Sequence, residues 1–308
     1  RQSLRDGADG ASGSTVVIDT FRAFSTAAFL VDRGVDHIVL AETLDEARER
    51  AATIPGSLLC GEEGGRRPDD FDLGNSPIEA GTYPDLAHRT IVMRTSAGTR
   101  TIVRALRSGA DPVYAASLVV AGSTASAVRR SPRVTLIASG LGGASIADED
   151  EETAGLISDR ILGRPDDAMR IGRIRRGAGA TRLRSTPWID PEDLTLCLRV
   201  DRFSFALRAR LNKGVATLPA AHGTGSDSTP QKRSPKWVQG SEGEIRYTRM
   251  RWKKKRDEGG SRSDAARHQE VMSDRFRDVL SREYDYGDQD PKEVEARLRN
   301  MVYGTNRK

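Results

Sequence analysis

The sequence predicts an α/β protein, a mostly parallel sheet with helices on both faces, followed by a basic, partly disordered C-terminal extension. Three observations point there. From Thr15 onward, short β-branched runs alternate with stretches of helical spacing, as βαβ units do. The chain's 308 residues can bury a sizeable core, yet only 37% are apolar and 30% are charged, so part of the chain is expected outside that core. The charge is uneven: residues 1–222 hold 29 Lys+Arg and 29 Asp+Glu, whereas residues 223–308 hold 20 and 15, which puts the whole net charge of +5 in the C-terminal part.

Residues 1–14, rich in Gly, Ser and Asp, read as a disordered lead-in, and residues 15–222 as the α/β domain. Residues 15–19 form the first expected strand. A helix follows over 22–33, where Phe21, Phe24, Ala28 and Val31 recur at near-helical spacing. Residues 37–41 are the next strand, and Thr43 with Glu46 makes a capping box for a helix over 44–53. Residues 57–60 lead into a glycine-rich loop. Further strands are expected at 90–93, 112–115 and 133–139, and helices at 98–107, 117–129 and 149–162. Residues 164–222 are less clearly patterned: a turn and helix start at 164–167, then 191–198 and 203–210 as a final pair of elements closing the domain. After His222 the composition turns to Gly, Ser, Thr, Lys and Arg, which marks a linker. Residues 253–256 are a basic block, and 263–282 and 291–301 have helical patterning.

Composition excludes several classes. Two cysteines, Cys60 and Cys197, match no zinc spacing and suggest a reducing, cytoplasmic setting. There is no run of about 18 apolar residues, so no membrane partner is expected. His37, His88, His222 and His268 are scattered, without metal or triad spacing. The tail mixes its basic residues with 15 carboxylates and carries no nucleic-acid motif, so nucleic acid is not expected as a partner; a homo-oligomer is left open.

In a parallel sheet, ligands bind beyond the carboxyl ends of the strands, so polar residues just past each apolar run carry weight. These are Asp19 and Arg22, then Glu62, then Arg94-Thr95-Ser96-Ala97-Gly98-Thr99, then Ser139-Gly140-Leu141-Gly142-Gly143 with the acidic run Asp148-Glu149-Asp150-Glu151-Glu152. The stretch Gly61-Glu62-Glu63-Gly64-Gly65 with Phe71-Asp72-Leu73-Gly74-Asn75-Ser76-Pro77 has the composition of a site loop. Its glycines permit close approach and its side chains offer oxygens to a hard cation, although a solvated connection has the same composition. Cys60 and Arg66 have the CX5R spacing of cysteine-dependent phosphatases, but Glu62 and Glu63 would repel both thiolate and phosphate, so Cys60 reads as the end of a buried strand. An aspartyl-phosphate role for Asp19 is disfavoured because Phe21 stands where a second Asp is needed; a helix cap or a metal ligand remains. The glycine loop at 139–143 only weakly imitates a dinucleotide fingerprint. The acidic run suits a helix N-terminus without any function, and its position after a strand-end loop also allows one or two carboxylates to face a cation.

Together, these segments resemble the 2-phosphosulfolactate phosphatase family of coenzyme M biosynthesis. The residues that carry the likeness are Asp19-Thr20-Phe21-Arg22-Ala23, Gly61–Gly65, the full Phe71–Pro77 stretch, Thr95-Ser96-Ala97-Gly98-Thr99, and Glu149-Asp150 with Ala154-Gly155, over about residues 15–212. The resemblance implies a Mg²⁺-dependent phosphomonoesterase that hydrolyses 2-phospho-3-sulfolactate to 3-sulfolactate and phosphate. It implies catalytic and metal-holding roles for Asp19, Glu62 and Asp150, and substrate contacts from Arg22, Asn75, Ser76, Thr95, Gly98 and Thr99. Two positions depart from the family: its first-loop arginine is Glu63 here, and its asparagine before the turn glycine is Ala97. Arg66 and Arg67 are the nearby cations that would compensate. The alternative is a catalytically weak or inactive relative that binds an anionic ligand or partner.

Overall fold

A computed structural model of the chain describes residues 2–164 and 166–220. The described residues fall in one compact unit. The linker, basic block and helices expected after residue 222 lie outside the described residues. Among the described residues no helix is long and apolar enough to cross a membrane.

Among the described residues, ten strands form one sheet: β1 (Gln2–Ser3), β2 (Ser14–Ile18), β3 (His37–Ala41), β4 (Leu58–Gly61), β5 (Leu73–Gly74), β6 (Thr90–Arg94), β7 (Val113–Ala116), β8 (Val134–Ala138), β9 (Leu207–Asn212) and β10 (Val215–Pro219). Their order is β1-β8-β2-β7-β9-β10-β3-β6-β4-β5. The first four are mutually parallel, as are the last four, and the β9–β10 hairpin joins the two halves through antiparallel ladders to β7 and β3. The expected α/β class and mostly parallel sheet are present. The hairpin occupies the middle of the sheet, which strand patterning at 203–210 alone does not reveal.

The sheet curls around two helices, α1 (Ala23–Asp32) and α4 (Gly98–Arg107). Every residue of α1 from Ala23 to Val31 is buried, the state of a helix apolar on all sides. The main core gathers Phe24, Ala28 and Leu30 of α1 and Ile102 of α4 with Val17 of β2, Val113 of β7, Ile38 of β3 and Ile91 of β6, so both halves contribute. The outer faces are covered separately. Helix α2 (Leu44–Thr53), capped by Thr43 Oγ1 accepting from the Glu46 N–H, covers β3 and β6. Helices α5 (Ala121–Val128) and α6 (Asp148–Ile161) cover β2 and β8, with α7 (Asp167–Arg176) packed on α6. The helix expected over 117–129 starts with a short 3-10 turn, Leu118–Val120, and is α-helical only from Ala121.

The lead-in needs correcting. Gln2 and Ser3 pair with Ile137 and Ala138 of β8, Ala8 is fully buried in the core, and Asp6 and Asp9 pair with Arg104 of α4. The polar composition suggested disorder, but backbone pairing at a sheet edge and two ion pairs hold the segment. Cys60 and Cys197 are free and buried.

Candidate active site

Because β2 leads into α1 and β6 leads into α4, and both helices lie inside the curl, their N-termini meet. Asp19, the residue after β2, sits between them: Oδ1 accepts from Ala23 N–H at 3.1 Å and Oδ2 from Gly98 N–H at 2.9 Å. These are unsatisfied first-turn donors at the positive ends of two helix dipoles, a setting that favours an anion. Gly98 is required by this approach, since a Cβ there would lie 2.8 Å from Asp19 Oδ2 and 3.0 Å from the Phe24 ring. Asp150, in the first turn of α6, is held the same way, with Oδ1 accepting from Thr20 N–H at 2.7 Å and Oδ2 from Gly140 N–H at 2.9 Å. Glu62 follows β4 and ties two loops together. It accepts from Ser96 N–H at 2.5 Å, Gly65 N–H at 2.7 Å and Ser96 Oγ at 3.0 Å.

These three carboxylates face one cavity of about 340 Å³. Arg22, Asn75, Glu149 and Arg182 also line it, with Ser96, Ala97 and an apolar side made by Phe21, Leu141, Leu183 and Ile189. The expected residues Asp19, Arg22, Glu62, Asn75 and Asp150 thus come together. Ser76, Thr95, Gly98 and Thr99 do not line the cavity. Ser76 caps α3 (Pro77–Thr82) and donates to Asp193 at 2.7 Å. Thr95 and Thr99 bond each other: Thr99 Oγ1 accepts from Thr95 N–H, and Thr95 Oγ1 from Thr99 N–H. The Gly98 N–H is used by Asp19. These four shape the site from behind.

Arg22 is oriented by a residue that the sequence did not single out. Asp193 of α9 (Pro191–Cys197) is fully buried, pairs with Arg22 through Oδ2, and accepts from Ser76 Oγ and Ile78 N–H through Oδ1. One carboxylate therefore joins the starts of α1, α3 and α9. Asn75 Oδ1 is buried with no hydrogen-bond partner among the described residues, an acceptor left for a ligand or water. Glu63 does not line the cavity: its side chain is 64% exposed and lies 3.7 Å from Arg94. Arg66 stacks over Trp188 and Arg67 donates to the Asp72 carbonyl, so neither compensating cation reaches the site.

Burial dominates the electrostatics. It pushes the Asp19 carboxyl up to about 6, with Glu62 adding to the rise against the two backbone N–H donors and Arg22. Burial and the charges of Asp19 and Glu149 hold Asp150 well above the usual carboxylate range. Glu149 is raised to about 7, again chiefly by burial. Cys60 is also pushed up by burial, which removes the thiolate that a CX5R mechanism needs.

Among the described residues, no group of three or more His, Cys, Asp or Glu is gathered into a ready coordination cluster. The donor chemistry nevertheless fits a hard divalent ion. Four carboxylates face two guanidiniums in the cavity, and Asp19 and Asp150 repel each other in low dielectric. Mg²⁺ uses one or two carboxylates, keeps several waters and needs no closed protein cage.

Residues 4–209 match the family described as 2-phosphosulpholactate phosphatase. Among curated proteins, the chain is similar to a probable 2-phosphosulfolactate phosphatase of Deinococcus radiodurans, 35% identical over 171 residues, covering 53% of this chain and 70% of the relative. A protein of the same description from Pseudothermotoga lettingae is 35% identical over 51% of this chain and 66% of its own length. Another, from a Synechococcus species, is 32% identical over 63% of this chain and 88% of its own.

Proposed function

The chain belongs to the 2-phosphosulpholactate phosphatase family, and from that premise we propose that it is a Mg²⁺-dependent phosphomonoester hydrolase converting 2-phospho-3-sulfolactate and water to 3-sulfolactate and phosphate. The observation that carries this reading is the convergence of Asp19, Asp150 and Glu62, from three separate strand-end loops, on one cavity. Asp19 and Asp150, with Glu62 beside them, would hold Mg²⁺, which when bound polarises a phosphoryl group and lowers the pKa of a water.

The chain's own residues supply orientation and charge. Arg22, fixed by Asp193, offers charge-assisted hydrogen bonds to phosphoryl oxygens, where a planar donor pair suits the phosphate. The N-termini of α1, α4 and α6 add fixed positive potential on the same side. Asn75, whose carbonyl oxygen has no partner among the described residues, presents that acceptor to the attacking water. Ser96 holds Glu62 in place. Phe21, Leu183 and Ile189 exclude bulk water, which strengthens these interactions.

One observation favours a second reading, a relative that binds an acidic ligand without turning it over: Ala97 lines the cavity where the resembled family carries an asparagine amide. Phosphate release from 2-phosphosulfolactate and other small acidic phosphoesters, with Mg²⁺ and with EDTA, separates the two. Turnover that requires Mg²⁺ supports the hydrolase; ligand binding without phosphate release from any ester supports the second reading.

A further inference from the structure

We infer that Arg182 is the residue that selects phosphoesters bearing a second acidic group, by receiving that group at its exposed side while the phosphate lies toward Asp19 and Arg22. The inference rests on the hydrolase reading above.

The two guanidiniums lining the cavity differ in their settings. Arg22 is buried, paired with fully buried Asp193, and its charge is felt at Asp19. It belongs to the Asp19 side of the cavity. Arg182 projects from α8 (Ala178–Ser185), is 38% exposed, and its charge is felt at Glu149. Glu149 Oε1 accepts one of its N–H groups at 3.2 Å, and the fork geometry of a guanidinium leaves other donors for a planar or tetrahedral oxyanion. Phe21, Leu183 and Ile189 line the same cavity and suit a short carbon skeleton.

The placement of Arg182 is built into the fold. Gly179 N–H donates to Asp148 Oδ1 at 3.0 Å, and a Cβ on Gly179 would lie 2.0 Å from Glu149 Oε2, so glycine there leaves room for the Glu149 carboxylate beside α8. Trp188, just beyond α8, donates its indole N–H to the Gly65 carbonyl at 3.1 Å and ties this segment to the Glu62 loop. The charges of the first loop, Glu63, Arg66 and Arg67, do not line the cavity. The cation for a second acid therefore comes from α8.

The test uses the full chain with Mg²⁺ and three esters: 2-phosphosulfolactate, 2-phospholactate, which lacks the sulfonate, and isopropyl phosphate, which lacks both acids. Arg182→Met is expected to lower the preference for an acidic ester, as the ratio of kcat/KM values, by about tenfold, chiefly through KM. A fall in the ratio of 2-phosphosulfolactate to 2-phospholactate assigns the sulfonate to Arg182. A fall in the ratio of 2-phospholactate to isopropyl phosphate assigns the carboxylate. Arg182→Lys should recover part of the lost ratio, and it carries the test if the methionine variant does not fold. An equal loss on all three esters overturns the inference, since Arg182 then only positions Glu149. If the wild type releases phosphate from none of them, the hydrolase reading fails separately. In that case, a rise in melting temperature with 3-sulfolactate in the wild type that is lost in Arg182→Met still supports the inference. An equal rise in both, or none in the wild type, overturns it.

Discussion

At the residue scale, the site is governed by carboxylates held away from water. Asp19 is 7% exposed and its carboxyl is raised from 3.8 to about 6. Without metal, the folded state therefore favours the protonated form. The contribution of Asp19 to stability is complete below pH 3.8 and is lost as pH rises through about 6, and Asp150 acts in the same direction. A divalent ion binds the ionised forms and competes with protons. The rise in melting temperature caused by Mg²⁺ over EDTA should therefore be larger at about pH 7.5 than at about pH 5; equal shifts would contradict this. Asp193→Asn removes the partner of a buried guanidinium. It is expected to cost about 3 kcal/mol in a urea titration and to lower kcat/KM as Arg22 loses its orientation. Asn75→Ala, whose Oδ1 has no partner among the described residues to lose, should leave the urea midpoint nearly unchanged while lowering kcat/KM about tenfold.

At the element scale, the N-termini of α1 and α4 are useful because they meet at one carboxylate. Gly98→Ala tests that junction. Alanine is the better helix former by about 1 kcal/mol, so on propensity alone the variant gains stability. The added Cβ would lie 2.8 Å from Asp19 Oδ2, and the expected result is a loss of more than tenfold in activity with no gain in melting temperature. Residues close in sequence to strand ends were legible: Asp19, Arg22, Glu62, Asn75 and Asp150 each follow an apolar run or open a helix. Thr95, Gly98 and Thr99 were legible as a turn, but their polar groups are spent inside it, and spacing does not show which donor a neighbour already uses. Glu149 lay inside an acidic run that suits any helix N-terminus. Arg182 and Asp193 carried no local signal, because they reach the site only through the packing of α8 and α9 against α6, α1 and α3.

At the scale of the whole molecule, two parallel half-sheets share one core around α1 and α4, and β9–β10 is their only junction among the described strands. Ala216 of β10 pairs with Leu211 of β9 and Leu40 of β3. Ala216→Pro removes a ladder donor in the middle of the sheet and should cost about 3 kcal/mol or more, abolishing the cooperative melt of the described domain as a unit. A variant in which one half keeps a native melt would mean the halves are independent. The alternation of strands and helices was readable because each period is local, whereas the hairpin's central position depends on contacts far apart in sequence. In the proposed hydrolase, Asp19 and Asp150 are the acidic pair that would make this cavity a phosphatase site. The most direct test is phosphate release from 2-phosphosulfolactate in Mg²⁺ by the wild type, Asp19→Asn and Asp150→Asn, each shown to be folded by its melting curve. The expected result is wild-type turnover and a loss of at least about a hundredfold in each variant; folded variants that keep turnover close to the wild type would contradict it.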